Sequence, residues 1–271
     1  MKSKLKLIQN LSASKISIII CFILFVLPTF ILYLNYNISK STNNFEFSPL
    51  TNFDMALVLN ILIYVLPLIS TISGAQYAKK QEAMSAFIFT RESKDREIVK
   101  SFICFFIWGF FLMFITLITM YLISIVSINF NTDYFPAMPR NLNFEGLIYE
   151  QFPFNDLYYN YPVLFQLFYI VLISFYSAFL SSLSFIISSI SKKGFTISLY
   201  IFGASLLVIL LCGFFRNGIV VWNPQNLLMP DPLIATYPGI FTNPIGKIVL
   251  FSFLAISSLC LLIYRIKSKK I

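Results

Sequence analysis

The sequence predicts an all-α, polytopic membrane protein with six transmembrane helices. The first observation behind this is composition: 58% of the residues are hydrophobic and only 11% are charged, with a mean hydropathy of +0.80. A soluble domain carries roughly 25% charged residues, and a globule of 271 residues in water needs far more polar surface than this. The second is the arrangement of the uncharged residues in long runs: Ile16 to Ser39, Met55 to Ala78, Ser101 to Thr132, Leu157 to Ser191, Gly194 to Phe215 and Ile248 to Tyr264. All but the last reach the ~20 residues that cross ~30 Å of hydrocarbon, and Lys247 and Arg265 can snorkel at the ends of the last. The third is that the basic residues gather between alternate runs.

That alternation sets the orientation. One set of segments holds Lys2, Lys4, Lys6 and Lys15; Lys79, Lys80, Arg91, Lys94, Arg96 and Lys100; Lys192 and Lys193; and Arg265, Lys267, Lys269 and Lys270. The other set holds only Lys40, Arg140 and Arg216, with Lys247 at a membrane boundary, together with the acids Glu46, Asp54, Asp133, Glu145, Glu150, Asp156 and Asp231. Both termini are therefore expected in the cytoplasm. The net charge of +9 reads as topology and contact with anionic lipid, not as a nucleic-acid surface. Heavy use of Ile, Phe, Asn, Lys and Tyr suggests an AT-rich bacterial genome, hence a bacterial cell membrane.

The chain forms a single transmembrane domain over residues 1–271, with spans at about 16–34, 55–73, 101–127, 162–190, 195–213 and 247–265. Span 1 follows a basic N-terminus as a signal peptide would. Its apolar run is too long for one, it contains Pro28, and no small-x-small cleavage site follows, so it is read as a retained helix. Pro28 and Pro67 should kink spans 1 and 2, which neighbouring helices tolerate. The outer loop 129–161 is rich in aromatics and acids. It is an interfacial aromatic belt or a surface for an amphipathic, cationic ligand near Glu145, Glu150 and Asp156. The outer segment 214–246 is apolar but broken by Pro224, Pro230, Pro232 and Pro238, which fits short interfacial or re-entrant helices. Cys21, Cys104, Cys212 and Cys260 all lie inside spans, without metal-ligand spacing or a loop pair for a disulfide. They read as small apolar packing residues.

Much chemistry is missing. The chain has no histidine, which removes HExxH zinc sites, histidine triads and histidine proton relays. No acid lies deep in a span, as an intramembrane aspartyl protease or most ion-coupled transporters require. Gly213 to Gly218 is followed by Ile219 and Val220 instead of Lys and Ser/Thr, so no Walker A loop exists. The chain is expected to be no enzyme and to bind no cofactor or metal.

Two patterns carry information. Residues 73–106 read SGAQYAKKQEAMSAFIFTRESKDREIVKSFICFF. Tyr77, Met84, Phe87 and Ile88 form one apolar stripe at helical spacing, with Lys79, Glu82 and Ser85 mostly off it. Ser93 can cap the next helix, with Asp95 in its first turn. The first helix either lies at the lipid interface or docks into a groove of a cytoplasmic partner. In span 4, Ser174, Ser177, Ser181, Ser184, Ser188 and Ser191 recur at steps of 3 and 4 on one face. That face either packs closely against other helices through small residues or forms a weakly polar lining for a transport path or dimer seam.

With these residues in view, the chain resembles the ABC type-2 exporter permeases. AFIFTRESKDREIVKSFI looks like the end of that family's cytoplasmic coupling helix and its entry into span 3. WNPQNLL is similar to an asparagine-proline element before the last span, and the broken segment 214–246 is similar to the extracellular helical hairpin between spans 5 and 6. The resemblance implies a membrane subunit of an ATP-driven exporter, moving an amphipathic peptide, drug or lipid. ATP would sit on a separate cytoplasmic ABC ATPase docked at Tyr77, Lys80, Glu82, Met84, Phe87, Ile88 and Arg91, and a second permease chain, identical or related, would complete the assembly. The resemblance departs from the family at Glu82, the lone acid where many members have several, and in the longer outer loop. Two other classes remain open: a secondary transporter or channel, and a non-transporting immunity or sensor-anchoring protein. Cysteine labelling should find residues 79–97 and 267–270 inside, and 134–156 and 223–243 outside. Labelling of position 94 from the outside would overturn the six-span topology.

Overall fold

The computed structural model describes residues 18, 19, 23, 68–72, 74, 75, 94–127, 161–191, 195–214 and 244–267. Four long helices are among them: α1 (Lys94–Ser127), α2 (Pro162–Ser191), α3 (Phe195–Phe214) and α4 (Pro244–Lys267). Residues 68–72, 74 and 75 are also helical and are called the Ser70 segment below. The described residues are helical throughout their ordered elements and include no strand. The residues expected to dock an ATPase, Tyr77, Lys80, Glu82, Met84, Phe87, Ile88 and Arg91, lie outside the described residues, as do most of the expected spans 1 and 2 and of the expected outer loops.

Three of the helices are long and apolar enough to cross a membrane: Asp95–Ile125, Val163–Ser191 and Ile248–Lys267. Within α3 the corresponding apolar stretch is Thr196–Leu207. α1 has 34 residues and so is about 51 Å long, well beyond the hydrocarbon thickness. It starts at Lys94, ahead of the expected span at 101, because no Gly or Pro interrupts Lys94 to Lys100. Asp95 and Glu97 in its first turn also complement the positive end of the helix dipole. α2 and α4 each begin with proline, Pro162 and Pro244, whose fixed φ and missing N–H suit a first turn.

α2 is the hub, in contact with α1, α3 and α4 and with the Ser70 segment. Ring pairs give the relative directions. Phe105 stacks on Phe185 with centroids 5.4 Å apart, Phe106 meets Phe179 edge-on at 5.1 Å, and Phe110 meets Phe175 at 4.9 Å. Numbers rise on α1 as they fall on α2, so the two are antiparallel. Phe179 faces Phe251 and Ser189 faces Arg265, so α4 runs parallel to α2. The Ser70 segment is parallel to α2 as well, since Ser70 meets Ser177 and Ala75 meets Ser188. The start of α1 and the ends of α2 and α4 therefore share one end of the bundle. Arg96, Lys100, Arg265 and Lys267 all lie there, and Ile98, Ile186, Leu262 and Ile266 close the apolar core beneath them. The Arg265 Nε–H donates to Ser189 Oγ at 3.0 Å, fastening α4 to α2 at this end.

The main core joins Ile69 of the Ser70 segment, Leu112, Met113, Leu117 and Met120 of α1, Ile170, Ile173, Tyr176 and Leu180 of α2, and Leu254 of α4. Outside it, Ile103, Ile107, Phe111, Ile115 and Leu122 form an exposed stripe along α1, and Ile248, Phe253, Ile256, Leu259 and Ile263 form one along α4. Soluble proteins rarely expose contiguous apolar patches beyond a few hundred Å², whereas acyl chains solvate such stripes. Accordingly, a spin label at Ile115 (62% exposed) should collide freely with oxygen dissolved in the bilayer. A label at Leu117, with no exposed surface, should be shielded several-fold. Equal collision rates at the two sites would show that α1 is packed otherwise.

Candidate functional site: the serine seam of the central helix

A hydroxyl inside a membrane needs an acceptor. Many serines and threonines among the described residues find one in their own helix, donating back three or four residues. Thr116 donates to Leu112 O, Ser174 to Ile170 O, Ser182 to Phe179 O and Ser258 to Ala255 O, at 2.7–2.9 Å. This is the usual local solution for such residues in a helix interior.

The serine face of α2 behaves differently. Ser177 Oγ donates to Gly109 O of α1 at 3.1 Å and lies 2.9 Å from Ser70 Oγ. Ser177 has one proton and places it on Gly109, so Ser70 is the donor in the hydroxyl pair. The result is a chain, Ser70 to Ser177 to Gly109, that joins three helical elements and polarises in one direction. Below it, the Ser184 hydroxyl is within reach of Thr71 O at 2.9 Å and of its own Ser181 O at 2.8 Å. Ser188 Oγ donates to Ala75 O at 2.9 Å. Interhelical hydroxyl bonds in membranes average about 0.6 kcal/mol, so these four together contribute on the order of 2–3 kcal/mol.

Such short side chains reach a neighbouring backbone only if the helices nearly touch. Two glycines allow this. A Cβ placed on Gly74 would lie against Ser181 O, 2.6 Å from Ser184 Oγ and 3.1 Å from Phe185 N. A Cβ on Gly109 would lie 2.7 Å from Ser181 Cβ, 2.9 Å from Ser177 O and 3.1 Å from Ala178 Cα. Most of these obstacles are backbone or Cβ atoms, which cannot swing aside. Ser181 is thus held between Gly74 on one side and Gly109 on the other, and its own Oγ has no hydrogen-bond partner.

Ser174, Ser177, Ser181, Ser184 and Ser188 are all buried, none more than 1% exposed. The structure brings the last four against the Ser70 segment and α1 of the same chain, while Ser174 turns its hydroxyl back onto α2. Ser191, the last of the series, is exposed. Sequence reasoning found this stripe but not its partners Ser70, Thr71, Gly74 and Gly109. The available signal was the cluster Ser70–Thr71–Ser73–Gly74 at the end of span 2 and the isolated Gly109 inside an apolar helix, where a glycine marks close approach. The seam carries no histidine or carboxylate to activate its hydroxyls. What the arrangement can do is mechanical: it sets how three helices sit against one another.

Comparison with protein families, with characterised proteins and with solved structures finds no match.

Substitutions separate bulk from hydrogen bonding at this seam. Gly109→Leu and Ser181→Leu should still insert, because leucine favours the membrane at a helix centre. Both should lower the thermal stability of the detergent-solubilised protein strongly, since overpacking costs about 1–3 kcal/mol or more. Ser181→Ala, which removes no hydrogen bond, should be nearly silent. Wild-type stability for both leucine variants would mean that the close contact is absent from the folded protein.

Proposed function

We propose that the chain is the membrane-spanning permease subunit of an ATP-driven exporter in a bacterial cell membrane. It has six spans with both ends in the cytoplasm, and works with a separate cytoplasmic ABC ATPase and a second permease chain. The observation that carries this reading is where the helices flanking residues 76–93 are anchored. The described part of the Ser70 segment reaches Ala75, bonded to Ser188 near the end of α2. α1 begins at Lys94, with Ile98 packed near Ile186 and Ile190. Ala75 and Lys94 therefore both lie at the same, basic end of the bundle, and the two flanking helices are joined to α2 by the serine seam. A helix in 76–93 with its apolar face Tyr77, Met84, Phe87 and Ile88 in a groove of the ATPase would drive two spans at once, as rigid levers. ATP binding and phosphoryl transfer belong to the partner. The substrate class that suits the resemblance is an amphipathic peptide, drug or lipid.

Co-purification from the native membrane tests the partnership, and Phe87→Asp with Ile88→Asp tests the docking face. A few buried apolar anchors dominate an interface of this kind. The double variant should stay in the membrane and lose at least ten-fold in retained ATPase. ATPase activity should fall to that of the soluble subunit alone. Full retention and stimulation in the double variant would overturn the docking assignment. A purified chain with no ATPase partner, whose transport survives ATP depletion, would overturn the exporter reading itself.

A further inference from the structure

The serine series on α2 is longer than the contact it makes. Three bonds mark the present register of the Ser70 segment: Ser70 to Ser177, and Ser184 to Thr71 O and Ser188 to Ala75 O, the last two between residues 113 apart in sequence. Move the segment one helical turn toward the N-terminus of α2. Thr71 O then faces Ser181, Ala75 O faces Ser184, and Ser70 faces Ser174. Every acceptor and donor meets serine again. The two serines that this move engages are those with hydroxyls to spare. Ser181 Oγ is buried without a partner, and Ser174 Oγ is satisfied only by its own helix. Gly74 would pass from Ser181 and Ser184 to Ser177 and Ser181, with Ala178 beside them, so the groove stays narrow-walled but unobstructed. Toward the other end the series runs out at Ser191, which is exposed. The bond from Ser177 to Gly109 O involves neither Thr71 nor Ala75 and can persist, leaving α1 and α2 as a fixed rail.

We propose that the Ser70 segment and the α1–α2 pair form a two-register slide, in which the segment shifts by one turn, about 5.4 Å, while exchanging equivalent hydroxyl partners. Discrete one-turn shifts of one packed element past another are an established mode of conformational change. Counting the bonds described above, the two registers make the same number of interhelical hydroxyl bonds, so neither is strongly preferred on that account. The inference rests on the described helices alone and does not depend on the exporter reading.

The experiment uses the full chain in its native membrane, with Cys21, Cys104, Cys212 and Cys260 replaced by alanine. Paired cysteines are introduced at Ser70 and Ser177 for the observed register, and at Ser70 and Ser174 for the shifted one. A pair at Ser70 and Phe175, an exposed position at the same height, is the control. Under mild oxidation the first two pairs should form disulfides and the control should not. Ser181→Ala removes a partner from the shifted register only, and Ser188→Ala from the observed one only. The ratio of initial rates, shifted over observed, should fall roughly threefold in the first and rise roughly threefold in the second, the population change that an average interhelical hydroxyl bond produces. Disulfide formation by the Ser70–Ser177 pair alone would overturn the slide. So would equal reaction of the control pair, loss of the Ser70–Ser177 product, or a ratio unmoved by both alanine variants.

Discussion

Ser181 has glycine on both sides, and the rest of the bundle depends on that contact. Between helices in lipid, apolar surface by itself supplies no net attraction, because acyl chains solvate leucine as well as another leucine does. Association rests on how closely the backbones approach and on the polar groups that the approach brings into range. At Gly74 and Gly109 a single added carbon would meet backbone atoms of α2 inside van der Waals contact. The hydroxyls of Ser177, Ser184 and Ser188 reach across to Gly109, Thr71 and Ala75 only because those carbons are missing.

The same constraint sorts residues on α1 and α2. Small and hydroxyl-bearing side chains occupy the inner face of α2, where they are covered. Phenylalanine rings then fill the wider spaces on either side, stacking Phe105 on Phe185 and setting Phe106 and Phe110 against Phe179 and Phe175. Further apolar residues, such as Ile103, Ile107 and Ile115 of α1, face outward. α4 shows the minimal case, with Leu254, Ser258 and Leu262 as a single buried stripe on an otherwise outward-facing helix. Its position is secured by the Arg265 contact to Ser189 at the basic end.

The proposed slide would make the bundle stiff across the helices and comparatively permissive along them. Sideways separation breaks close packing and hydroxyl bonds together. Axial movement replaces one serine with the next. For a chain proposed to relay force from a partner at one end, that anisotropy matters more than any single bond. A displacement proposed at residues 76–93 would then act along the Ser70 segment, with α1 and α2 held together by the bond from Ser177 to Gly109 O.

The all-helical, membrane-crossing character was legible in the sequence because it follows from composition and run length, which need no partner to interpret. The start of a helix at Lys94 was legible too, from Ser93 and the acids after it. Burial on α1 was not. Its two faces are about equally apolar, so hydrophobic periodicity, the usual guide to which side is inside, carries no signal there. Part of the inner face is marked by small residues, Ser101 and Gly109, and their size becomes meaningful only against a particular neighbour. The serine stripe was visible as a period, yet the same spacing served equally for packing within the chain, a dimer seam or a path. Only the tertiary structure brought Ser177 to Gly109 and Ser188 to Ala75. Those contacts join residues far apart in sequence, and what brings them together is the fit of two glycines against one serine, a property of three helices at once and of no single segment of the chain.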